Sequence, residues 1–469
     1  MKQKAFTILA MVVFLCMAAC ESKLDIVPKG MTTLNTVDDL ETLLNQDPQI
    51  TISNNEYEIL CNNMYDYWEG LPEYLANPNS LIYALVTYDE NVDRASLTTS
   101  SYVYEYLYRS INYMNVIISK APEATGDDAK RRQIIAEAHI LRAWYHFILV
   151  NTFAKQYDEA TASELGGIPY VDNTDVSEEK TKRTIAEVYE RILEDCSDEV
   201  LADLIQSHVD IPCRFGLDFG YGVRARVLFQ MKRYDEALRY ANLALGVNNR
   251  LEDRSSIKET GTWTLNETAS NNYFLLWSNN SNLGDFYGLT ISPDVAALID
   301  PNDYIMKYYN YMGMPWGEPY QVLPDGSLQC QISDIRWNVW GIRTETMYYL
   351  AAECMIRQGN IQGGLAQVDR VRAMRIDNYT PFANQASGLT EKQAMKLLQD
   401  AKRVEFINTI ENFCDRKRWN SEPEYAETIT RDLGPEYGGT YSISPDSPLW
   451  VFPFPQNAVL YNPSLTQNY

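Results

Sequence analysis

The sequence is poor in the residues that most chemistries need. Its 469 positions hold three histidines, His139, His146 and His208. His139 and His146 share a helical face but stand about 10.5 Å apart along the axis, too far to hold one metal ion. Core or edge histidines satisfied by hydrogen bonds are the better reading of that pair, and Glu137 and Arg142 beside them read as structural hydrogen-bonding groups. Of eight cysteines, Cys16 and Cys20 lie in a leader. The other six, Cys61, Cys196, Cys213, Cys330, Cys354 and Cys414, show neither C-x-x-C pairing nor metal-ligand spacing. No metal site or disulfide framework is implied, although one or two disulfides fit the count. G-x-S-x-G, a phosphate-cradling glycine loop and H-E-x-x-H are all missing. No motif singles out, among 63 acids, the two carboxylates that a glycosidase sets about 5–10 Å apart. No catalytic residue, metal ligand or cofactor is therefore expected, and the protein is not read as an enzyme. Basic runs are missing too, and the net charge is −23, which argues against a nucleic-acid partner and against polyanions in general.

Long apolar runs are likewise scarce. Phe6–Leu15 is too short to span a bilayer and follows Lys2 and Lys4, as in an export leader. Met17-Ala18-Ala19-Cys20 then gives an apolar residue, two small ones and a cysteine, the pattern of a bacterial lipobox. Residues 1–19 read as a lipoprotein signal peptide and Cys20 as the acylated residue. The alternative is ordinary cleavage after Ala18. The mature chain is thus expected to be anchored to a membrane without crossing it.

The rest has a globular composition, 45% hydrophobic and 22% charged, with tyrosine in excess at 33 copies beside nine tryptophans. Helical spacing runs through 98–120 and 127–155, where Asp127 or Asp128 can cap, and after Thr184, which forms a capping box with Glu187. A short helix is expected around Val37–Leu44. Two segments repeat at an offset of 127: Tyr221-x3-Ala225-x2-Leu228-x5-Tyr234-x2-Ala237, and Tyr348-x3-Ala352-x2-Met355-x5-Ile361-x2-Gly364. Both resemble tetratricopeptide repeats, whose paired helices need a small residue where their backbones approach. About four helix pairs are expected, making a mainly α, α-α superhelical protein. Residues 56–97, 250–335 and 420–456 read as irregular and aromatic, and a long loop region inside a compact domain is usually functional.

Flat aromatic faces cover the C–H patches of sugars while amides and carboxylates take the hydroxyls, each stacked ring contributing about 1 kcal/mol. Trp68, Trp277, Tyr287 and Trp316 are the leading candidates for ligand contact, with Tyr65 and Tyr67 behind them. For each ring the competing role is packing in the core or at an interface with another protein.

Glu137-Ala-x-x-Leu141-Arg142-Ala143 and Asn462-Pro463-x-Leu465-x-Gln467-Asn468 resemble signatures of the SusD/RagB family of Bacteroidetes outer-membrane lipoproteins. Leu24-Asp25-x-x-Pro28, Tyr104-x3-Tyr108-x2-Ile111-x3-Asn115, Gly359-Asn360, Val371-Arg372 and Asp415-x2-Arg418-Trp419 follow in family order, whereas Lys402-Arg403-Val404-Glu405 departs from the family's Glu-Arg pattern. The resemblance implies a single SusD-like domain over 20–469: an N-terminal part to about 250, a loop-rich, ligand-facing insert over about 250–335, and a C-terminal repeat and tail from about 336. It implies a cell-surface lipoprotein of the outer membrane that captures glycan for a SusC-like TonB-dependent transporter. A RagB-like peptide-capturing protein and a ligand-free helical scaffold are the alternatives.

Overall fold

The computed structural model describes residues 34–45, 49–50, 55–65, 70–175, 177–263, 269–278, 290–309, 320–330 and 337–469. The chain is mainly helical. Its long helices are α1 (Tyr102–Lys120), α2 (Asp128–Phe153), α3 (Ile185–Asp195), α4 (Leu217–Gln230), α5 (Tyr234–Val247), α6 (Thr344–Arg357), α7 (Ile361–Arg372), α8 (Glu391–Glu405) and α9 (Ile410–Asn420). From α1 to α8 each packs on the next in chain order, the neighbour-on-neighbour stacking of a helical-repeat superhelix. α8 and α9 are tied by a buried ion pair between Lys402 and Asp415.

The 127-residue repeat is exact at its turns. Lys232 (φ 62°) and Gly359 (φ 81°) take the same left-handed position after α4 and α6. Arg233 N donates to Leu228 O at 2.9 Å, and Asn360 N to Met355 O at 2.9 Å. The small residue has a steric reason: a Cβ on Gly364 would stand 2.6 Å from Ala352 O on the facing helix.

α2 is the pivot. Asp127 caps it, its side chain accepting from Lys130 N at 2.8 Å. Almost every residue from Ile134 to Phe153 is buried, so its last carbonyls have little recourse to water. Phe452 N donates to Thr152 O at 3.0 Å. Lys417 Nζ donates to Asn151 O at 2.5 Å and Ala154 O at 2.7 Å, a cation at the negative end of the helix. Burial holds that ammonium down to about 7. Asn468 Nδ2 donates to Phe153 O at 2.7 Å and to Gly167 O at 2.8 Å, while its Oδ1 accepts from Lys182 Nζ at 2.9 Å. Gln467 pairs in both directions with the backbone of Phe454, at 2.8 and 3.1 Å. The two sequence signatures thus meet in space.

The polar residues of α2 act structurally. Glu137 accepts from Arg214 Nε at 2.7 Å and Nη2 at 2.6 Å. Arg142 makes a bidentate pair with Asp195 at 2.7 and 2.6 Å and reaches Asn115 Oδ1 at 2.8 Å, and this guanidinium holds the Asp195 carboxyl well below its usual range against the cost of burial. His146 lies 2.9 Å from Arg142 O through Nδ1 and accepts from Val171 N at 3.1 Å through Nε2. Nδ1 therefore carries the proton; burial pushes the ring down to about 3, and it stays neutral.

Several elements differ from expectation. Residues 56–97 are not simply loop: they carry short helices Asn55–Leu60, Gly70–Ala76, Leu81–Thr87 and Arg94–Leu97. None exceeds two turns, so no 3.6-residue period declares itself in the sequence. The helix expected around Val37–Leu44 spans Val37–Glu41 and opens with a Thr36–Asp39 capping box. Residues 429–443 contain a hairpin, Ile429–Asp432 paired with Thr440–Ile443. Cys61, Cys196, Cys354 and Cys414 are free thiols, and Cys354 is fully buried, as its place in a helix suggested.

Two measurements follow. Replacing Lys232 by glycine removes the penalty of a left-handed non-glycine residue and is expected to raise stability by about 1 kcal/mol in urea unfolding; no gain would show that the turn is unstrained. Asn468→Ala leaves two buried carbonyls and one ammonium short of a partner and is expected to cost about 1–3 kcal/mol; a loss below the error of the measurement would mean that the tail does not cap α2.

Candidate functional site

A four-stranded sheet joins strands from distant parts of the chain. Its strands are β1 (Met64–Tyr65), β2 (Thr290–Ile291), β3 (Tyr320–Val322) and β4 (Leu328–Cys330), in the order β1-β2-β4-β3. All neighbours are antiparallel, with Tyr65 opposite Thr290, Ile291 opposite Leu328, and Tyr320 opposite Cys330. This register gathers Tyr65, Thr290, Tyr320 and Cys330 at one end of the sheet. Segment 66–69 leaves from that end, 279–289 and 310–319 arrive there, and 331–336 departs from it. The opposite end opens on a recess of about 340 Å³ whose lining includes Asp294, Asp325, Asp432 and Glu436 and no aromatic ring.

The turn leading into β1 is fixed by two arginines from far along the chain. Arg403, on α8, donates to Asn63 Oδ1 at 2.7 Å, Asn62 O at 2.8 Å and Cys61 O at 3.3 Å. Arg431, 2% exposed, donates to Asn62 Oδ1 at 2.9 Å, Leu85 O at 3.0 Å, Val86 O at 2.6 Å and Ile59 O. Its guanidinium also stacks 4.5 Å from the Tyr88 ring centre. Ser292 then ties β2 to the same turn, its Oγ donating to Asn62 O at 2.7 Å and its N–H to Asn63 O at 2.9 Å. Asn338 works similarly behind the sheet: its Oδ1 accepts from Leu276 N at 3.0 Å and Gly341 N at 2.9 Å, and its Nδ2 donates to Phe274 O and Asn272 Oδ1, both at 2.9 Å. Neutral and charged donors aimed at loop carbonyls make a rigid base for whatever the loops present.

Of the candidate rings, Tyr67, Trp68, Tyr287 and Trp316 lie outside the described residues, as does Cys20. Tyr65 is placed as the last residue of β1, its side chain outside the description. Trp277 opens a two-residue strand, Trp277–Ser278, that pairs in parallel with Gln49–Ile50. At 7% exposed, its ring packs inside the protein instead of facing solvent, against the expectation of an open platform. Arg403, Arg431 and Asn338 were not singled out in the sequence. Alternation gave one usable hint: Arg431 shares the buried face of its strand with Ile429, a place a guanidinium takes only with partners.

The described residues hold no cluster of His, Cys, Asp or Glu able to bind a metal ion. No described helix is long and apolar enough to cross a membrane.

Comparison with known proteins agrees with this architecture. A crystal structure of a SusD superfamily protein from Bacteroides thetaiotaomicron superposes with a TM-score of 0.70 at 17% identity, covering 92% of this chain and 100% of that one. SusD-like carbohydrate-binding proteins from Bacteroides vulgatus and Bacteroides fragilis superpose with TM-scores of 0.65 and 0.64, each at 14% identity, over 92% of this chain and 97% and 99% of theirs. No curated protein sequence matches the chain. SusD-like proteins bind carbohydrate and are not enzymes. The family model described as starch-binding and associating with the outer membrane matches residues 24–227, and that of the SusD family matches 333–469; between them they take in most of the sequence, and the chain belongs to the SusD family.

Proposed function

We propose that this protein is a cell-surface lipoprotein, acylated at Cys20, that captures an oligo- or polysaccharide and delivers it to a SusC-like TonB-dependent transporter in the outer membrane. The observation that carries the reading is the sheet register. Trp68 stands three residues from Tyr65, Tyr287 three from Thr290 and Trp316 four from Tyr320. At about 3.5 Å per extended residue, each is tethered within about 10–14 Å of one sheet end. Three rings within that reach would suit a sugar chain, whose successive residues each offer a C–H face. Trp277, being buried, supports the loop base in this reading instead of touching ligand. Weak stacking at several rings adds up by proximity, which suits capture and release better than a single tight pocket. The transporter supplies the passage, so the protein needs no cofactor.

A soluble form spanning 21–469 is expected to bind at least one glycan in an array, and Trp68→Ala or Trp316→Ala to weaken that binding about tenfold in calorimetry, near the upper end of one aromatic contact, with the circular dichroism unchanged. Oligopeptide binding without glycan binding would favour a peptide-capturing role, and no ligand of either kind would favour a scaffold. For the anchor, Cys20→Ala is expected to abolish incorporation of labelled fatty acid and to release the protein from the membrane fraction; retention of the label would place the acyl chains elsewhere.

A further inference from the structure

A recess with a mainly apolar lining lies where α1 begins and α2 ends. It has a volume of about 620 Å³ and is lined by Tyr57, Tyr102, Phe153, Phe452, Glu56 and Arg94, among others. That is the size range of small-molecule sites, about 300–1,000 Å³. Tyr57 and Phe452 pack ring to ring at 4.7 Å, Phe452 is only half-buried, and Tyr102 stands 75% exposed.

Glu56 is the anomaly. Its side chain is exposed, yet protein surrounds it closely enough for desolvation to push its carboxyl above the usual range. Glu56 lines the recess beside the rings of Tyr57, Tyr102 and Phe452, and no cation among the described residues is paired with it. Arg94 is in the same lining but is already committed: it donates to Val451 O and Pro448 O, each at 2.9 Å, and lies 4.3 Å over the Tyr469 ring. The charges that act on Arg94 are those of Tyr469 and Glu90, not Glu56.

An uncompensated carboxylate in an aromatic recess is the complement of an organic cation. Ring faces attract ammonium groups by about 0.5–2 kcal/mol, and the carboxylate supplies the ion pair. A net charge of −23 would further concentrate cations around the protein. We propose that this recess binds the ammonium group of an organic amine, with Glu56 as counter-ion and the rings of Phe452 and Tyr102 against the body that carries it. Amino sugars and peptide N-termini both present this chemistry.

No residue of the four-stranded sheet lines this recess, so its test does not depend on glycan capture there. Glucosamine and phenylalaninamide would be titrated calorimetrically into the soluble protein at neutral pH, each beside its N-acetylated, neutral counterpart. At least one amine is expected to bind, to bind about tenfold better than its acetylated form, and to lose about tenfold in Glu56→Gln, as charge pairs in partly buried sites do. Which amine binds distinguishes the two sources. Val103→Phe, which fills the recess without touching charge, is expected to block the same binding. Equal binding of amine and acetylated probe, an unaffected E56Q variant, or no binding of either amine would each overturn the proposal.

Discussion

A helix buried over most of its length has to find protein partners for the carbonyls at its end, and in this protein that requirement shapes everything around α2. Water cannot serve there. An ammonium from α9, an amide from the chain's penultimate residue and a backbone N–H from Phe452 converge on Asn151, Thr152, Phe153 and Ala154. The last stretch of chain is therefore part of the core's hydrogen bonding, not an appendage. The same convergence brings Phe452 and Phe153 into the lining of one apolar recess.

Away from α2 the superhelix is held by buried charge to an unusual degree. Arg418 pairs with Glu353 at 2.6 Å and Asp415 at 3.1 Å, Arg226 with Glu411 at 3.1 Å, and Arg357 with Glu353 and Glu422, each at 2.8 Å. These groups belong to three helices, α4, α6 and α9, and to Glu422 just beyond α9. Burying them costs desolvation that apolar packing would not. In exchange, a helix slid or rotated by one residue would strand a charge, which fixes the register between helices whose apolar faces are interchangeable.

What the sequence disclosed was local or periodic. The repeat at 127 residues was legible because both copies need the same left-handed turn and the same small residue at the helix approach. The Thr184 capping box and the helices over 98–155 were legible because each signal lies within a few neighbouring positions. The pairing of Asn468 with Phe153 and of Arg431 with Ile59 was not, since each joins residues more than 300 positions apart and leaves no spacing to read. The sheet was hidden for a related reason: its strands have two or three residues, too few to alternate. Trp277 shows the limit for the candidate rings. Aromatic composition says that rings are available, while burial is decided by strands such as Gln49–Ile50 arriving from elsewhere.

A charge-locked helical platform thus carries a small sheet that gathers Tyr65, Thr290, Tyr320 and Cys330 at one end. The most direct test is a crystal structure of the soluble protein soaked with an oligosaccharide identified by array screening. The account predicts sugar density at the sheet end formed by Tyr65, Thr290, Tyr320 and Cys330, stacked on rings from 66–69, 279–289 or 310–319. Sugar bound instead in the acidic recess at the opposite end, or on the helical face, with those rings untouched, would contradict it.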